Sequence, residues 1–586
     1  MGALLVIDCS ADHALGISLN NRKVLNLFDH RQVDDSEGLA RLSPEKIASI
    51  RLEAMEAIKK FGHLSLNGLK VLELLKFNDS SVYFFHRLKI YQELAALMVK
   101  IEEINLQLDH FEQVEIYSSN GFLLKYFDGH DNVNVHRVNQ PSDRKSYQSL
   151  LSFSWRFFVR VLKGYAQWGR RKKFDTVIVD RPNDYLLGDE KYENPFVGEV
   201  VNKMNGSALL VSEIPINGFK GERRFKADPR YKLHRGLKNV VYGEHILWRT
   251  LIRYRKTWKI NCCHLVSQLN LIQPALTDFQ SEFIWQRLQE LQPTTNLYVL
   301  KEMAYRNFFA SSTIKSILCS DENSLAHRVI LNSAKSNGVK TFGIQHGAIG
   351  DTTTNYIYDP ADFDWNPIPD LTLVWGDYWQ NILMKSGNYP PDAIKVVGQL
   401  RTDKIFQLSS VTVDSNLYVY ASQPIPDESY REKALLDVLH VAKNHPHLKV
   451  LIKPHPRENQ LAYFTDRIRM VGCENVIVQP RADLYELLSK CVVLITCYST
   501  VAIEALYFKK QVILLDYRGE DFLEFGKLNL GKVCDSSESL QSFVNNLDTE
   551  KNLNSEAIES FVEERAFKID GKVAERILSV LDSNRG

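Results

Sequence analysis

Leu451-Ile452-Lys453-Pro454-His455-Pro456-Arg457-Glu458 decides how this chain is read. A short apolar strand stops at Ile452. A Lys, a His and an Arg then stand on a loop stiffened by two prolines. The fixed φ of proline lowers the entropy lost in holding His455 in one place. Ligands of open parallel sheets bind beyond the carboxyl ends of the strands. Lys453, His455 and Arg457 at such an end suit a phosphate or pyrophosphate, although a solvated basic turn has the same composition. About forty residues later, Leu494-Ile495-Thr496-Cys497-Tyr498-Ser499-Thr500-Val501 again runs strand, polar turn, helix. Ser499 and Thr500 are placed to cap that helix, and its leading N–H groups suit an anion; plain capping explains the pair equally well. Glu504, one turn in, suits ribose hydroxyls.

Outward from these two segments, short β-branched runs alternate with helical stretches. Strands are expected at 314–319, 340–345, 371–374, 394–397, 417–420, 450–452, 476–478, 492–495 and 512–515. Alternation of this kind predicts parallel sheets with crossover helices, hence doubly wound α/β units. Further strands are expected at 4–7, 114–117, 133–138, 176–180 and 208–211, with helices near 45–61, 89–111 and 147–172. A linker-like stretch at 404–416 divides the chain. The expected units are an N-terminal Rossmann-like region over 1–405, a nucleotide-binding domain over 406–560, and a helix over 561–586 that packs back. An extra subdomain within 1–150 and a basic insertion near 150–260 would enlarge the first.

Two more strand ends carry chemistry. Thr341-Phe342-Gly343-Ile344-Gln345-His346-Gly347 ends a strand in Gln-His, followed by glycine. A neutral His346 there suits a general base, and Gly347 allows a substrate close to the backbone. Ser320-Asp321-Glu322-Asn323-Ser324 supplies Asp321 as a second acid/base candidate, with helix capping as the competing account. Asp362-Phe363-Asp364 matches a metal-binding DxD in form only. No metal or other cofactor is expected.

The chain has 586 residues, 44% hydrophobic and 24% charged, with 72 Lys+Arg against 71 Asp+Glu. That excludes a disordered chain and a globally basic nucleic-acid binder. Local charge is uneven. Residues 156–173 carry seven Lys/Arg and no acid, and residues 220–259 carry thirteen against three. Trp155, Phe158, Leu162 and Tyr165 share one helical face, while Arg156, Arg160 and Lys163 share another. Such segments suit an anionic bilayer surface, or form a solvated face over a buried stripe. Without a CxxC pair, a leader or a spanning segment, the expectation is a cytoplasmic protein, peripheral to the membrane if the basic segments bind it.

The Lys-Pro-His-Pro loop at 453–456, with Tyr-Ser-Thr and a Glu at 498–504, resembles the donor site of GT-B glycosyltransferases. The nearest pattern is that of bacterial surface-polysaccharide enzymes with CMP- or CDP-activated donors: capsule Kdo transferases, sialyltransferases and CDP-glycerol glycerophosphotransferases. The resemblance implies two Rossmann-like domains facing across a cleft. It implies that Lys453 and His455 contact the donor phosphate, and that Ser499 and Thr500 contact phosphate or ribose. Gln345-His346-Gly347 resembles the Trp-His-Gly turn of the glycerophosphotransferases, whose His is the proposed base, with Gln345 in place of Trp. Gly398-Gln399-Leu400-Arg401-Thr402-Asp403 resembles the Gly-x-x-Arg-x-Asp turn that closes the first domain. The function implied first is metal-independent sugar transfer from a CMP-linked donor to a capsular or lipopolysaccharide acceptor. A CDP-polyol phosphotransferase is the alternative, followed by a sugar-nucleotide epimerase and a non-catalytic nucleotide-binding subunit.

Overall fold

Three parallel sheets organise the chain in its computed structural model. The structure describes residues 3–8, 23–27, 39, 42–138, 147–169, 174–179, 186–187, 192–194, 196–204, 208–213, 240–350, 353–366, 368–408, 410–425, 428–455, 458, 460–517, 519, 521, 524–547 and 555–584. The N-terminal sheet has four strands, in the order Lys23–Asn26, Ala3–Asp8, Gln113–Ser118, Val133–Arg137. The central sheet has seven: Val240–Tyr242, Ala208–Ser212, Thr176–Val179, Ser316–Ser320, Lys340–Ile344, Leu371–Val374, Ile394–Val396. The C-terminal sheet has six: Val476–Val478, Lys449–Lys453, Leu417–Ala421, Val493–Thr496, Gln511–Leu515, Lys532–Cys534.

Parallel strands need crossovers, and crossover helices cover both sheet faces. The buried residues follow that rule. Ile178, Leu318, Phe342 and Leu373 pack on one side of the central sheet, and Val177, Ile317 and Cys319 pack on the other. Tyr420, Ile452 and Ile495 divide in the same way from Val419, Leu451 and Leu494 in the C-terminal sheet. Continuous apolar strands are therefore the correct sequence signal here, rather than alternating ones.

The region expected as a basic insertion near 150–260 is instead part of the main architecture. Three of the seven central strands, Thr176–Val179, Ala208–Ser212 and Val240–Tyr242, come from it. The first two stand where strands were expected, at 176–180 and 208–211; the third is only three residues long and follows a polar, basic stretch of sequence that obscures it. The described residues between 3 and 137 form the four-stranded unit, which packs through helices Pro44–His63 and Tyr83–Leu108 onto the central unit.

One short segment joins the central and C-terminal units. Gly398 adopts φ +97°, a conformation that favours glycine, and turns the chain beneath Arg576. Helix Arg401–Leu408 follows. Arg401 reaches Glu504 of the C-terminal unit at 2.8 Å. The carboxylate of Asp403 accepts the backbone N–H groups of Val573 and Ala574, at 3.0 and 3.1 Å. These are leading N–H groups of the last helix, Val573–Ser583, which have no partner within the helix itself. Val573, Ile577 and Leu581 of that helix are buried against the central sheet. Each such burial contributes about 1.5–3 kcal/mol. The chain thus returns to the central unit after completing the C-terminal one, a GT-B-like arrangement of two Rossmann-like domains. Gly376 marks the return path: a Cβ there would lie 2.2 Å from the Glu564 carbonyl oxygen.

Asp403→Ala is expected to cost about 1–2 kcal/mol by uncapping the last helix. Urea unfolding followed by circular dichroism measures it, and Asp403→Asn should recover part of the loss.

Candidate functional site

The C-terminal sheet reverses its winding beside strand Leu417–Ala421. The chain leaves that strand through Lys449–Lys453 and Val476–Val478, then returns to its other side with Val493–Thr496. The carboxyl ends at such a reversal splay apart and leave room for a ligand. Lys453 ends one strand there and His455 follows it, Ser499 and Thr500 follow another, and Ser422 and Gln423 follow the strand between them.

Both flanking loops are tied to the middle one. The Glu458 carboxylate accepts the His455 backbone N–H at 2.9 Å and the Ser422 hydroxyl at 2.5 Å. The Tyr498 N–H donates to the Gln423 side-chain oxygen at 2.9 Å. Ser422, Gln423 and Glu458 have no assigned role in the sequence reading. Their only signal is position, since each lies within a few residues of a strand end. Lys453 gives N–H bonds to the Pro454 and Pro480 carbonyls, both at 3.1 Å, and partial burial lowers its pKa. Arg457 lies outside the described residues.

Ser499, rather than Thr500, bonds the start of helix Val501–Tyr507: its hydroxyl accepts the Val501 N–H at 3.3 Å, whereas Thr500 at the N-cap makes no side-chain cap bond. Glu504 does not open toward a ribose. It is 7% exposed, paired with Arg401 at 2.8 Å, and burial raises its pKa against the pull of that guanidinium. One helical turn after Ser499, its side chain points inward, so Glu504 ties the two domains together.

The central sheet reverses likewise between Thr176–Val179 and Ser316–Ser320. Asp321 follows Ser316–Ser320, and His346 follows the adjacent strand Lys340–Ile344 one residue later. The fold brings them together, with His346 Nε2 3.4 Å from Asp321 Oδ1. The histidine side chain is 25% exposed and the carboxylate 8%, so an accessible imidazole stands against a buried acid. That is the geometry of a base with an orienting carboxylate. A Cβ on Gly347 would meet nothing within 4 Å, so the backbone beside His346 is open.

Asp321 is held in a left-handed conformation, φ +60°, which is unusual for a non-glycine residue. His327 supports the turn. Its Nδ1 lies 3.0 Å from the Ser320 carbonyl and 3.2 Å from that of Asp321. Two acceptors require Nδ1 to carry the proton, and burial lowers the His327 pKa, so the ring is neutral. Sequence reading assigned His327 no role, because a His inside an amphipathic helix carries no distinguishing signal.

Gln345 is fully buried and structural. Its side chain donates to the Gly347 carbonyl at 2.9 Å and accepts the Trp375 N–H at 3.0 Å. Asp362 of the formal DxD is also structural: buried, 2.9 Å from His63 Nε2 and 3.5 Å from Arg87. Among the described residues, no group of three or more His, Cys, Asp or Glu is placed to hold a metal ion. No described helix is long and apolar enough to cross a membrane. Cys319, Cys491 and Cys497 are buried free thiols.

Fold and site together define a GT-B-like protein with the Lys-Pro-His-Pro and Tyr-Ser-Thr loops on one sheet and a His–Asp pair on the other. Residues 367–582 match the family model of CDP-glycerol:poly(glycerophosphate) glycerophosphotransferases. That span includes Lys453, His455, Ser499 and Thr500, and excludes Asp321 and His346. No curated protein sequence matches the chain. Among solved structures, UDP-GlcNAc 2-epimerase from Neisseria meningitidis bound to UDP-GlcNAc is similar at 12% identity and TM-score 0.45, over 70% of this chain and 99% of that one. The wall teichoic acid polymerase TagF is similar at 15% identity and TM-score 0.34, over 50% of this chain and 85% of that one.

Glu322, beside Asp321, is fully enclosed, and burial with the neighbouring carboxylate pushes its pKa up to about 8. In the unfolded chain it ionises near 4.5. Folding therefore takes up a proton between these values, and stability is expected to fall as pH rises from about 4.5 to 8. Glu302, raised to about 8 mainly by burial, adds to the same slope. Urea unfolding at several pH values should give a flatter profile for Glu322→Gln than for the parent chain.

Proposed function

We propose that the chain is a transferase that releases CMP from a cytidine-activated donor and passes the activated group to a hydroxyl of a surface polymer or glycolipid. The family match across 367–582 carries this reading. It favours the CDP-polyol phosphotransferase over the CMP-sugar transferase that the sequence reading placed first. The CMP-sugar reading stays second, because the Lys-Pro-His-Pro and Tyr-Ser-Thr segments suit either donor, and both reactions release CMP.

In the favoured reaction, His346 takes the proton of the acceptor hydroxyl while Asp321 orients the ring and stabilises its charge. The acceptor oxygen attacks the phosphorus that carries the polyol. A new P–O bond forms, the bond to the bridging oxygen breaks, and CMP departs with that oxygen and its electron pair. In this reading Lys453, His455 and the N–H groups of Ser499 and Thr500 stabilise the leaving charge, and no metal is needed. In the sugar reaction the same oxygen would attack the anomeric carbon, and no phosphate would be transferred.

Thermal-shift assays with CMP, CDP, UDP and GDP are expected to give the largest stabilisation with a cytidine nucleotide. A uridine or guanosine winner would overturn the donor assignment. His346→Ala should lower turnover by about 10²–10⁴-fold with nucleotide affinity nearly unchanged. His455→Ala should weaken nucleotide binding, read by calorimetry. EDTA should leave activity unchanged. Phosphorus NMR of the product separates a new phosphodiester from a glycosidic bond.

A further inference from the structure

Trp155, Phe158, Leu162 and Tyr165 recur at helical spacing on Tyr147–Gln167, and they are 70, 50, 56 and 50% exposed. A surface helix ordinarily turns its apolar face inward. This one is seated by other residues. Val161 is buried, and Arg160 donates to Glu244 at 2.8 Å and lies over the Tyr242 ring at 4.7 Å. Gly164 backs onto His245, where a Cβ would come within 2.3 Å of the histidine. Arg160, Val161 and Gly164 are docked, Tyr165 lies against His245 at 4.4 Å between ring centroids with half its surface exposed, and Trp155, Phe158 and Leu162 point outward.

We infer that this face lies in the plane of an anionic membrane. Charge selects that occupant over an apolar partner or a second copy. Residues 156–173 hold seven Lys/Arg and no acid in sequence; Arg160 is committed to Glu244, and Lys163 is exposed beside the stripe. Helix Gly243–Ile272, against which the stripe-bearing helix packs, exposes Ile252 and Ile260 among exposed Arg253, Arg255, Lys256 and Lys259. Tryptophan, tyrosine and leucine with basic flanks is the composition of an interfacial helix. Phosphatidylglycerol-type headgroups attract the basic residues, and the acyl boundary accepts the rings.

The docking surface also has a defined place relative to the candidate site. Arg160 meets Tyr242 and Glu244 at the carboxyl end of edge strand Val240–Tyr242. Four strand steps across the same edge, His346 follows Lys340–Ile344. At about 4.8 Å per step, the separation across the sheet is about 20 Å. The membrane contact therefore lies on the edge of the central sheet that carries His346 and Asp321, which suits an acceptor anchored in lipid. The surface stands on its own exposure and charge, whatever reaction the site performs.

The test is co-sedimentation of the full chain with vesicles of phosphatidylcholine alone and of phosphatidylcholine with phosphatidylglycerol. Binding is expected only with the anionic vesicles, weakening as salt is raised. The variant Trp155→Ser/Phe158→Ser/Leu162→Ser should lose at least about tenfold in vesicle affinity with an unchanged melting temperature, since these side chains are exposed. Lys163→Glu should weaken binding without altering nucleotide thermal shifts. Equal binding by the triple variant and the parent would overturn the proposal. So would a parent chain that ignores anionic vesicles but self-associates through the same three residues.

Discussion

The Asp403 carboxylate, holding the N–H groups of Val573 and Ala574, is the interaction on which the arrangement of the two large domains depends. The chain leaves the central sheet through Gly398 and helix Arg401–Leu408, builds the C-terminal sheet, and returns with its last helix to the core it left. Asp403 sits where departure and return meet. Arg401, two residues earlier, binds Glu504 inside the C-terminal unit. A single turn therefore anchors both domains, and the spacing Gly398, Arg401, Asp403 follows from the three tasks. Glycine makes the bend, arginine spans to the next domain, and aspartate caps the returning helix.

Given that anchor, the site follows from the winding of parallel sheets. Each large sheet starts in its middle, winds outward, and comes back to the other side of its first strand. The reversal leaves carboxyl ends without a connection crossing over them, and polar residues collect there. On the C-terminal sheet, Glu458 and Gln423 lock the two flanking loops to the middle strand, so Lys453, His455 and Ser499 are held before any ligand arrives. On the central sheet, His327 and a left-handed Asp321 set a carboxylate beside His346. The exposed aromatic face of helix Tyr147–Gln167 lies beside the edge strand of the same sheet.

Much of this was legible in the residues. Strands such as Leu371–Val374 and Val476–Val478 coincide with their expected positions, because short β-branched runs between helices have few other readings. The edge strands Lys23–Asn26, Val240–Tyr242 and Lys532–Cys534 were missed: each is three or four residues long, and pairing on one side supplies what its sequence lacks. The role of Glu504 was misread for a related reason. Its position after Ser499 is visible in sequence, but the direction of its side chain depends on Arg401, a hundred residues away.

The sequence by itself determined the parallel α/β class, the Lys-Pro-His-Pro and Tyr-Ser-Thr loops at strand ends, the Gln-His-Gly turn and the uneven basic charge. These are local: strand length, proline, and residue type over a few positions suffice to state them. Tertiary structure decided that His346 meets Asp321, that Glu504 faces Arg401, and that Trp155, Phe158 and Leu162 face outward. Each of these depends on which surface another element occupies. Periodicity shows that a helix has two faces; only the partner that packs against one of them decides which is left for solvent or lipid.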